Sequence, residues 1–383
     1  MSRHIMLVMG TRPEAIKMAP LYYGLRAHHP GQRISVCATA QHRQMLDQVL
    51  ALFGIVPDID LNLMKAGQGL AELSAAVMTG MTASLKQEKP DLILVHGDTT
   101  TTLMAAMAGF YAGIPVGHVE AGLRTHDLAA PYPEEMNRQV VGRLAQWHFA
   151  PTATARQNLL AEGVSAGRIT VTGNTVIDAL HWVLNRLSED EALRRTVHAG
   201  LDAVLPFAWR EEPFVLVTGH RRENFGQGMQ EICAALSALT ERYPALHFVY
   251  PVHLNPNVLG PVSAALGQTR RIHLISPQDY LPFVCLLQHC RIVLTDSGGL
   301  QEEAPGLGKP VLVMREVTER PEAVAAGTVK LVGADAGRII DGISALLDDP
   351  LLYQRMAQAH NPYGDGTASR KIAAFIDGVW AAP

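Results

Sequence analysis

Apolar residues along this chain occur in two patterns. Short, nearly unbroken runs alternate with longer stretches in which apolar positions return every three or four residues. The runs Ile5–Met9, Arg33–Thr39, Asp91–Val95, Ile114–Val119, Trp147–Ala150 and Ile169–Thr172 predict strands in the first half. The rhythm restarts at Phe214–Val217 and continues through His247–Pro251, Arg271–Ile275, Ile292–Leu294, Pro310–Met314 and Val329–Val332. Runs without a polar face predict strands covered on both sides, and the helical stretches between them supply the cover. The pattern therefore predicts βαβ units and parallel sheets. Its repetition predicts two doubly wound α/β domains, since 383 residues are too many for one ordinary core. The expected domains are 1–187 and 188–363, with the crossing in the polar stretch Ser188–Glu212. Helical patterns at Ile339–Leu347 and Tyr353–Ala359 close the second domain, and the helix-patterned segment 364–383 is expected to pack back on the first.

Sheets of this kind bind ligands beyond the carboxyl ends of their strands. The unusual residues gather there: Arg12, Gln41, Asp98, Glu120, His220, His253, Asp296 and Ser297. In Thr295-Asp-Ser-Gly-Gly-Leu-Gln-Glu-Glu-Ala304 a buried run passes through Ser297-Gly298-Gly299 into a helix. That turn lets backbone amides approach a phosphate, and Glu302 or Glu303 just beyond could take a ribose diol. Arg12 and Lys17, at the helix start after Gly10-Thr-Arg-Pro-Glu14, could reach the same anion. Asp98 and Glu120 follow strands directly, and Glu134 and Glu135 follow Pro131-Tyr-Pro133. Carboxylates gathered at strand ends suit proton abstraction and delivery, although the sequence does not choose between Glu134 and Glu135. His220, in the dense run His220-Arg-Arg-Glu223, could donate to a leaving group. Gln278 could read a base edge, Phe283 could stack on a base or sit in the core, and Arg320 lies in a proline-marked turn.

Composition narrows the function classes. A net charge of −4 argues against a general nucleic-acid surface, so an anionic ligand must be held by local groups. There is no GxGxxG and no GxxxxGK[ST], which leaves out a dinucleotide fingerprint and a P-loop. The histidines show neither HxxxH nor HExxH spacing, so no metal site is expected. A serine-hydrolase elbow is not expected either. Cys37, Cys233, Cys285 and Cys290 lie in or beside apolar segments without CxxC pairing and read as buried thiols. The start, Met-Ser-Arg-His-Ile5, lacks an apolar leader, and no run reaches membrane-spanning length, so no membrane partner and a cytoplasmic location are expected.

Seven ordered motifs together resemble the bacterial non-hydrolysing UDP-N-acetylglucosamine 2-epimerases. They are Gly10-Thr-Arg-Pro-Glu-Ala-Ile-Lys-Met-Ala-Pro20, His96-Gly-Asp-Thr-Thr100, His118-Val-Glu-Ala-Gly-Leu-Arg124, Pro133-Glu-Glu-Met-Asn-Arg138, Thr218-Gly-His-Arg-Arg-Glu-Asn224, Thr295-Asp-Ser-Gly-Gly299 and Glu319-Arg-Pro-Glu322. The likeness runs through His360-Asn-Pro-Tyr-Gly-Asp365. It implies a glycosyltransferase-B-type fold of two Rossmann-like domains, with the active site in the interdomain cleft and commonly a homodimer. It implies interconversion of UDP-N-acetylglucosamine and UDP-N-acetylmannosamine through elimination of UDP, with no cofactor. Carried over by motif, Asp98, Glu120 and Glu134 are acid/base groups, and His220 with Arg12 and Lys17 assists UDP departure. Ser297, Gly298 and Gly299 would hold the diphosphate, Glu303 the ribose, Gln278 and Phe283 the uracil region, and Arg320 the nucleotide end. An activating second UDP-N-acetylglucosamine would touch Gln41, Gln44, Arg221 and His253.

Overall fold

A computed structural model of the chain describes residues 3–40, 43–65 and 67–381. The chain forms two compact units. One runs through His181 and resumes at Tyr363; the other is Trp182–Pro362. The first unit is built on strands β1 His4–Met9, β2 Arg33–Ala38, β3 Ile59–Asp60, β4 Leu92–His96, β5 Val116–Val119, β6 Trp147–Ala150 and β7 Ile169–Val171. They form one sheet in the order β3-β2-β1-β4-β5-β6-β7, and every pairing is parallel. The second unit holds β8 Phe214–Thr218, β9 His247–Pro251, β10 Ile272–Ile275, β11 Ile292–Thr295, β12 Val311–Val313 and β13 Val329–Leu331. Their order is β10-β9-β8-β11-β12-β13, again parallel throughout.

Both are doubly wound Rossmann-like sheets, and the order decides where chemistry can sit. The winding reverses between β1 and β4 in the first unit and between β8 and β11 in the second. At such a switch point two adjacent loops leave the sheet in opposite directions and open a crevice. The loops after β1 and β4 carry Gly10–Glu14 and Gly97–Thr99. Those after β8 and β11 carry Gly219–Asn224 and Asp296–Gly299. Four of the seven motifs therefore lie at the two places where the topology puts a ligand, and the others follow β5 and β12.

The expected strands are all present; the central ones are buried on both faces, whereas the edge strands β7, β10 and β13 are only partly buried. β3 alone was not anticipated; it is a two-residue edge strand in a polar stretch. The expected crossing region is different in kind. Residues Glu191–Asp202 are a helix capped by Asp190, which accepts from Leu193 N at 2.9 Å. It buries Val197 and Leu201, and Trp209 beyond it is also buried and donates to Asp202 at 2.8 Å. The change of unit falls earlier, between His181 and Trp182, inside the helix Thr175–Glu189. The helix Ala368–Ala381 packs on the helix Arg12–His28. Asp178 caps it, accepting from Ala368 N and Ser369 N at 3.2 and 2.8 Å. All four cysteines are buried and free of disulfides. Among the described residues no helix is long and apolar enough to cross a membrane.

Candidate active site

The first switch point is held together by a buried carboxylate. Glu14 sits where a capping box would put it, three residues after Thr11. It accepts from Gly10 N, Thr11 N and the Thr11 hydroxyl at 2.9, 2.8 and 2.8 Å. Its other oxygen accepts from the Thr99 and Thr102 hydroxyls at 2.7 and 3.0 Å. The loops after β1 and β4 are thus fastened to each other. Burial pushes the Glu14 carboxyl upward, against those hydrogen bonds. Arg12 opens the helix half-buried, with no ion-pair partner among the described residues.

Two reactive-looking carboxylates stand on that frame. Asp98 Oδ2 receives Arg138 Nη2 at 2.8 Å, and Asn137 Nδ2 holds the Asp98 carbonyl at 2.7 Å. Burial raises the Asp98 carboxyl above its usual range. The Arg138 charge opposes this, and the nearby Glu120 and Glu134 charges add to it. Glu120 follows β5 with a left-handed φ of 63°, a conformation that costs a side-chain-bearing residue about 1 kcal/mol. It is ion-paired with Lys17 and accepts from Asn174 Nδ2 at 2.7 Å. His96 Nε2 lies 3.9 Å from the same oxygen. Gly97 lies against Glu120, and its φ of 69° is what favours glycine there; a Cβ 3.6 Å from Glu120 Oε1 would be an ordinary contact.

Glu134 and Glu135 differ in what the fold asks of them. Glu135 is fully buried and accepts from Thr125 N, His126 N and Gln139 Nε2 at 3.0, 3.1 and 2.8 Å. It also pairs with Arg138 at 3.3 Å. Burial would raise its carboxyl, but these donors outweigh burial and hold it below the usual range. Glu134 is half-exposed at the first position of the helix Glu134–Leu144, with no hydrogen bond to its carboxylate among the described residues.

The second switch point is organised by Asp296. Its Oδ2 accepts from His220 N, Arg221 N and Asn224 Nδ2 at 2.8, 2.9 and 3.2 Å. Next to it, Thr295 Oγ1 accepts from Ser297 N at 2.9 Å and lies 2.6 Å from Thr218 Oγ1, fixing the start of the Ser-Gly-Gly turn. Arg320 lies over that turn: a Cβ on Gly298 would stand 3.6 Å from the guanidinium carbon. Arg320 is aimed by Glu302, which accepts its Nε at 2.6 Å and is fully buried. Glu303 accepts from the Tyr280 hydroxyl at 2.8 Å, with its other oxygen beside Gly299. Of the two carboxylates open to a diol reading, Glu302 is therefore matched to Arg320. Arg315 braces the surroundings, binding Glu223 at 2.6 Å and Glu319 at 2.7 and 3.1 Å. Burial would raise Glu319, yet Arg315 holds it at about 2.

The remaining candidates are more loosely placed. Gln278 is half-buried and donates to Ser276 O at 2.8 Å; Phe283 is half-buried in the first turn of the helix Tyr280–His289. His253 is exposed, its ring 5.6 Å from that of His220, and Arg221 is half-buried. Gln41 and the side chain of Gln44 lie outside the described residues. The spacing Gly-x-Ser-x-Gly does occur, at Gly163–Gly167, but it leads from the helix Ala153–Ala161 into β7. That is the reverse of a strand-to-helix elbow, so it presents no nucleophile. Sequence reasoning missed Glu14, Arg138, Asn174, Glu302 as the partner of Arg320, and Arg315. Of these only Glu14 carries a local signal, its capping-box spacing.

A family profile described as UDP-N-acetylglucosamine 2-epimerase matches residues 26–377. The UDP-N-acetylglucosamine 2-epimerase of Escherichia coli K12 is 57% identical over 368 residues, 96% of each chain. The crystal structure of the UDP-GlcNAc 2-epimerase of Neisseria meningitidis bound to UDP-GlcNAc superposes with a TM-score of 0.90 at 50% identity, covering 98% of this chain and 100% of that one. The glycotransferase of kitacinnamycin, at 13% identity and a TM-score of 0.64 over 99% of each chain, shares the fold alone.

Proposed function

The chain belongs to the UDP-N-acetylglucosamine 2-epimerase family, and on that premise we propose that it interconverts UDP-N-acetylglucosamine and UDP-N-acetylmannosamine without hydrolysis, by removing UDP and adding it back. The observation that carries this reading is the division of chemistry between the two switch points. One gathers Asp98, Glu120 and Glu134; the other offers an amide-rich Ser297-Gly298-Gly299 turn with Arg320 and His220. The first set suits proton chemistry on a sugar, and the second suits the binding of a diphosphate.

The C2 hydrogen of the sugar is not next to a carbonyl, so a simple carbanion is out of reach. Elimination avoids it. A carboxylate takes the C2 proton, and the C–H electron pair becomes the C1=C2 bond of 2-acetamidoglucal. The C1–O pair leaves with UDP. Return of a proton to the opposite face of C2 and of UDP to C1 completes the inversion. The two strand-end carboxylates have environments suited to different parts of this cycle. Burial raises the Asp98 carboxyl, whereas Glu120 is held in an ion pair with Lys17. Glu134 supplies a third carboxylate, half-exposed at its helix start. His220, with Arg12, meets the charge that develops on the departing diphosphate. Glu303 takes the ribose, and Gln278 and Phe283 the uracil. The route calls for no redox cofactor.

In heavy water, with UDP-N-acetylglucosamine as sole substrate, the purified protein is expected to exchange the C2 hydrogen and accumulate the manno epimer. Folded protein that does neither would sink the proposal, and free UDP released in proportion to product would replace it with a hydrolysing reaction. The family resemblance also supports a cytoplasmic homodimer supplying N-acetylmannosamine units for cell-surface polysaccharide. It supports an activating UDP-N-acetylglucosamine at Gln41, Gln44, Arg221 and His253. Full-rate turnover of UDP-N-acetylmannosamine in the absence of any UDP-N-acetylglucosamine would remove the need for that activator site.

A further inference from the structure

Asp296 has more hydrogen-bonding capacity than its structural task uses. It is fully buried at the end of β11. All three of its donors, His220 N, Arg221 N and Asn224 Nδ2, converge on Oδ2. Oδ1 is buried with no hydrogen-bond partner among the described residues. A carboxylate oxygen left so is costly, and its presence calls for a reason. The imidazole of His220 stands beside it, with Nδ1 3.3 Å from Oδ1 and 41% of the side chain exposed.

The other groups facing this ring are Arg221, its chain neighbour, and His253, whose ring lies 5.6 Å away at 22° from the loop after β9. Tyr250 donates to Gly219 O at 3.3 Å just behind it. Asp296 is thus the anion in a surrounding that is otherwise cationic or neutral. Burial lowers the His220 pKa, Arg221 and His253 push the same way, and Asp296 alone opposes them.

We propose that Asp296 is a positioning residue for His220: its Oδ1 accepts the Nδ1–H of the ring, which fixes the tautomer, aims Nε2 at the departing diphosphate and supports the cationic form that donates to it. This rests on the reading of His220 as the partner of the leaving group. The arrangement uses the general logic by which a buried carboxylate behind a histidine sets which nitrogen faces the substrate. It also explains why the backbone of the same segment is anchored on the same carboxylate. Oδ2 fixes where His220 starts, and Oδ1 fixes where its ring points.

Asp296→Asn tests this because the amide has one orientation open to it. The three N–H donors demand an oxygen at the Oδ2 position, so the NH2 must face His220 Nδ1. That forces Nδ1 to be an acceptor and disfavours the cation. Turnover is expected to fall by roughly 10–100-fold, the usual effect of removing an outer partner of a working histidine, with KM little changed. The His220 titration midpoint, read by NMR, moves to lower pH. In a His220→Gln background Asp296→Asn should cost nothing further. Multiplying effects, or an unmoved midpoint in a folded Asp296→Asn protein, would overturn the proposal. Undiminished activity in His220→Gln would overturn instead the reading of His220 on which it rests. Should Asp296→Asn not fold, the nitrogen shifts of the unmodified protein decide: a neutral His220 protonated at Nδ1 supports the assignment, and one protonated at Nε2 refutes it.

Discussion

Glu134 and Glu135 are neighbours with the same side chain, and the structure predicts opposite consequences for their replacement. In Glu135→Gln one oxygen becomes an NH2 group. Oε1 serves His126 N and Gln139 Nε2, whereas Oε2 serves Thr125 N and the Arg138 guanidinium. Either orientation of the amide therefore sets a donor against donors, and the negative charge facing Arg138 is lost. With an orphaned buried donor worth about 1–3 kcal/mol and a broken buried ion pair about 3–5 kcal/mol, the expected loss is on the order of 4 kcal/mol. For a unit of this size that lowers the thermal transition by roughly 10 °C. Glu134→Gln removes nothing from the fold and should change stability by less than about 0.5 kcal/mol. Its turnover should nevertheless fall by roughly 10²–10⁴, the scale of a general acid–base group. Calorimetry and the epimerisation rate, measured on both variants, give a two-by-two outcome. The stability deficit of Glu135→Gln has a pH signature as well. The folded carboxyl lies below its ordinary value of 4.5, so its stabilisation is complete above that value and is lost as pH falls through the folded one. The gap to the unaltered protein should therefore close in acid. A Glu135→Gln protein as stable as the original would refute the burial argument. A fully active Glu134→Gln would refute the role of Glu134.

Two further outcomes follow from the first unit. Asn174→Asp replaces the donor 2.7 Å from Glu120 with a second carboxylate. The acid limb of the pH–rate profile should move to higher pH, by about one unit for tenfold in the local equilibrium, and an unmoved limb would separate Glu120 from the rate-determining chemistry. His96, His118 and His148 are buried neutral, with burial lowering them from 6.5 to about 4, 3 and 4. The unfolded chain takes up protons below pH 6.5 where the folded one does not. Stability should thus be intact above 6.5 and fall toward pH 4, by about 1.4 kcal/mol per pH unit per histidine, and denaturant midpoints flat between pH 7 and 5 would contradict this.

The difference between what the sequence reveals and what it hides is one of range. A strand buried on both faces must be apolar throughout, so Ile5–Met9 or Ile292–Leu294 announces itself within a few residues. The switch points are legible too, because Gly-rich and Pro-marked turns at strand ends are local features. β3 fails that test: two residues at a sheet edge need no pattern. The helix Glu191–Asp202 was obscured for a related reason, since it buries only Val197 and Leu201 and its other positions read as a polar linker. Site assignments depend on pairing across the fold, and there the sequence is silent. Lys17, read from its motif as a phosphate ligand, also pairs with Glu120, far away in sequence beyond β5. Arg138, one turn beyond Glu134, proves to be the partner of Asp98. The two glutamates differ only by the rotation of one residue on a helix, which buries Glu135 against a loop and leaves Glu134 facing out. A candidate residue is thus readable from motif and strand end, whereas its partners and burial are set by residues remote in sequence. Asp296 shows the same rule at the second switch point: its place beside Ser297 is local, but its two oxygens acquire different meanings only once the loop after β8 folds onto it.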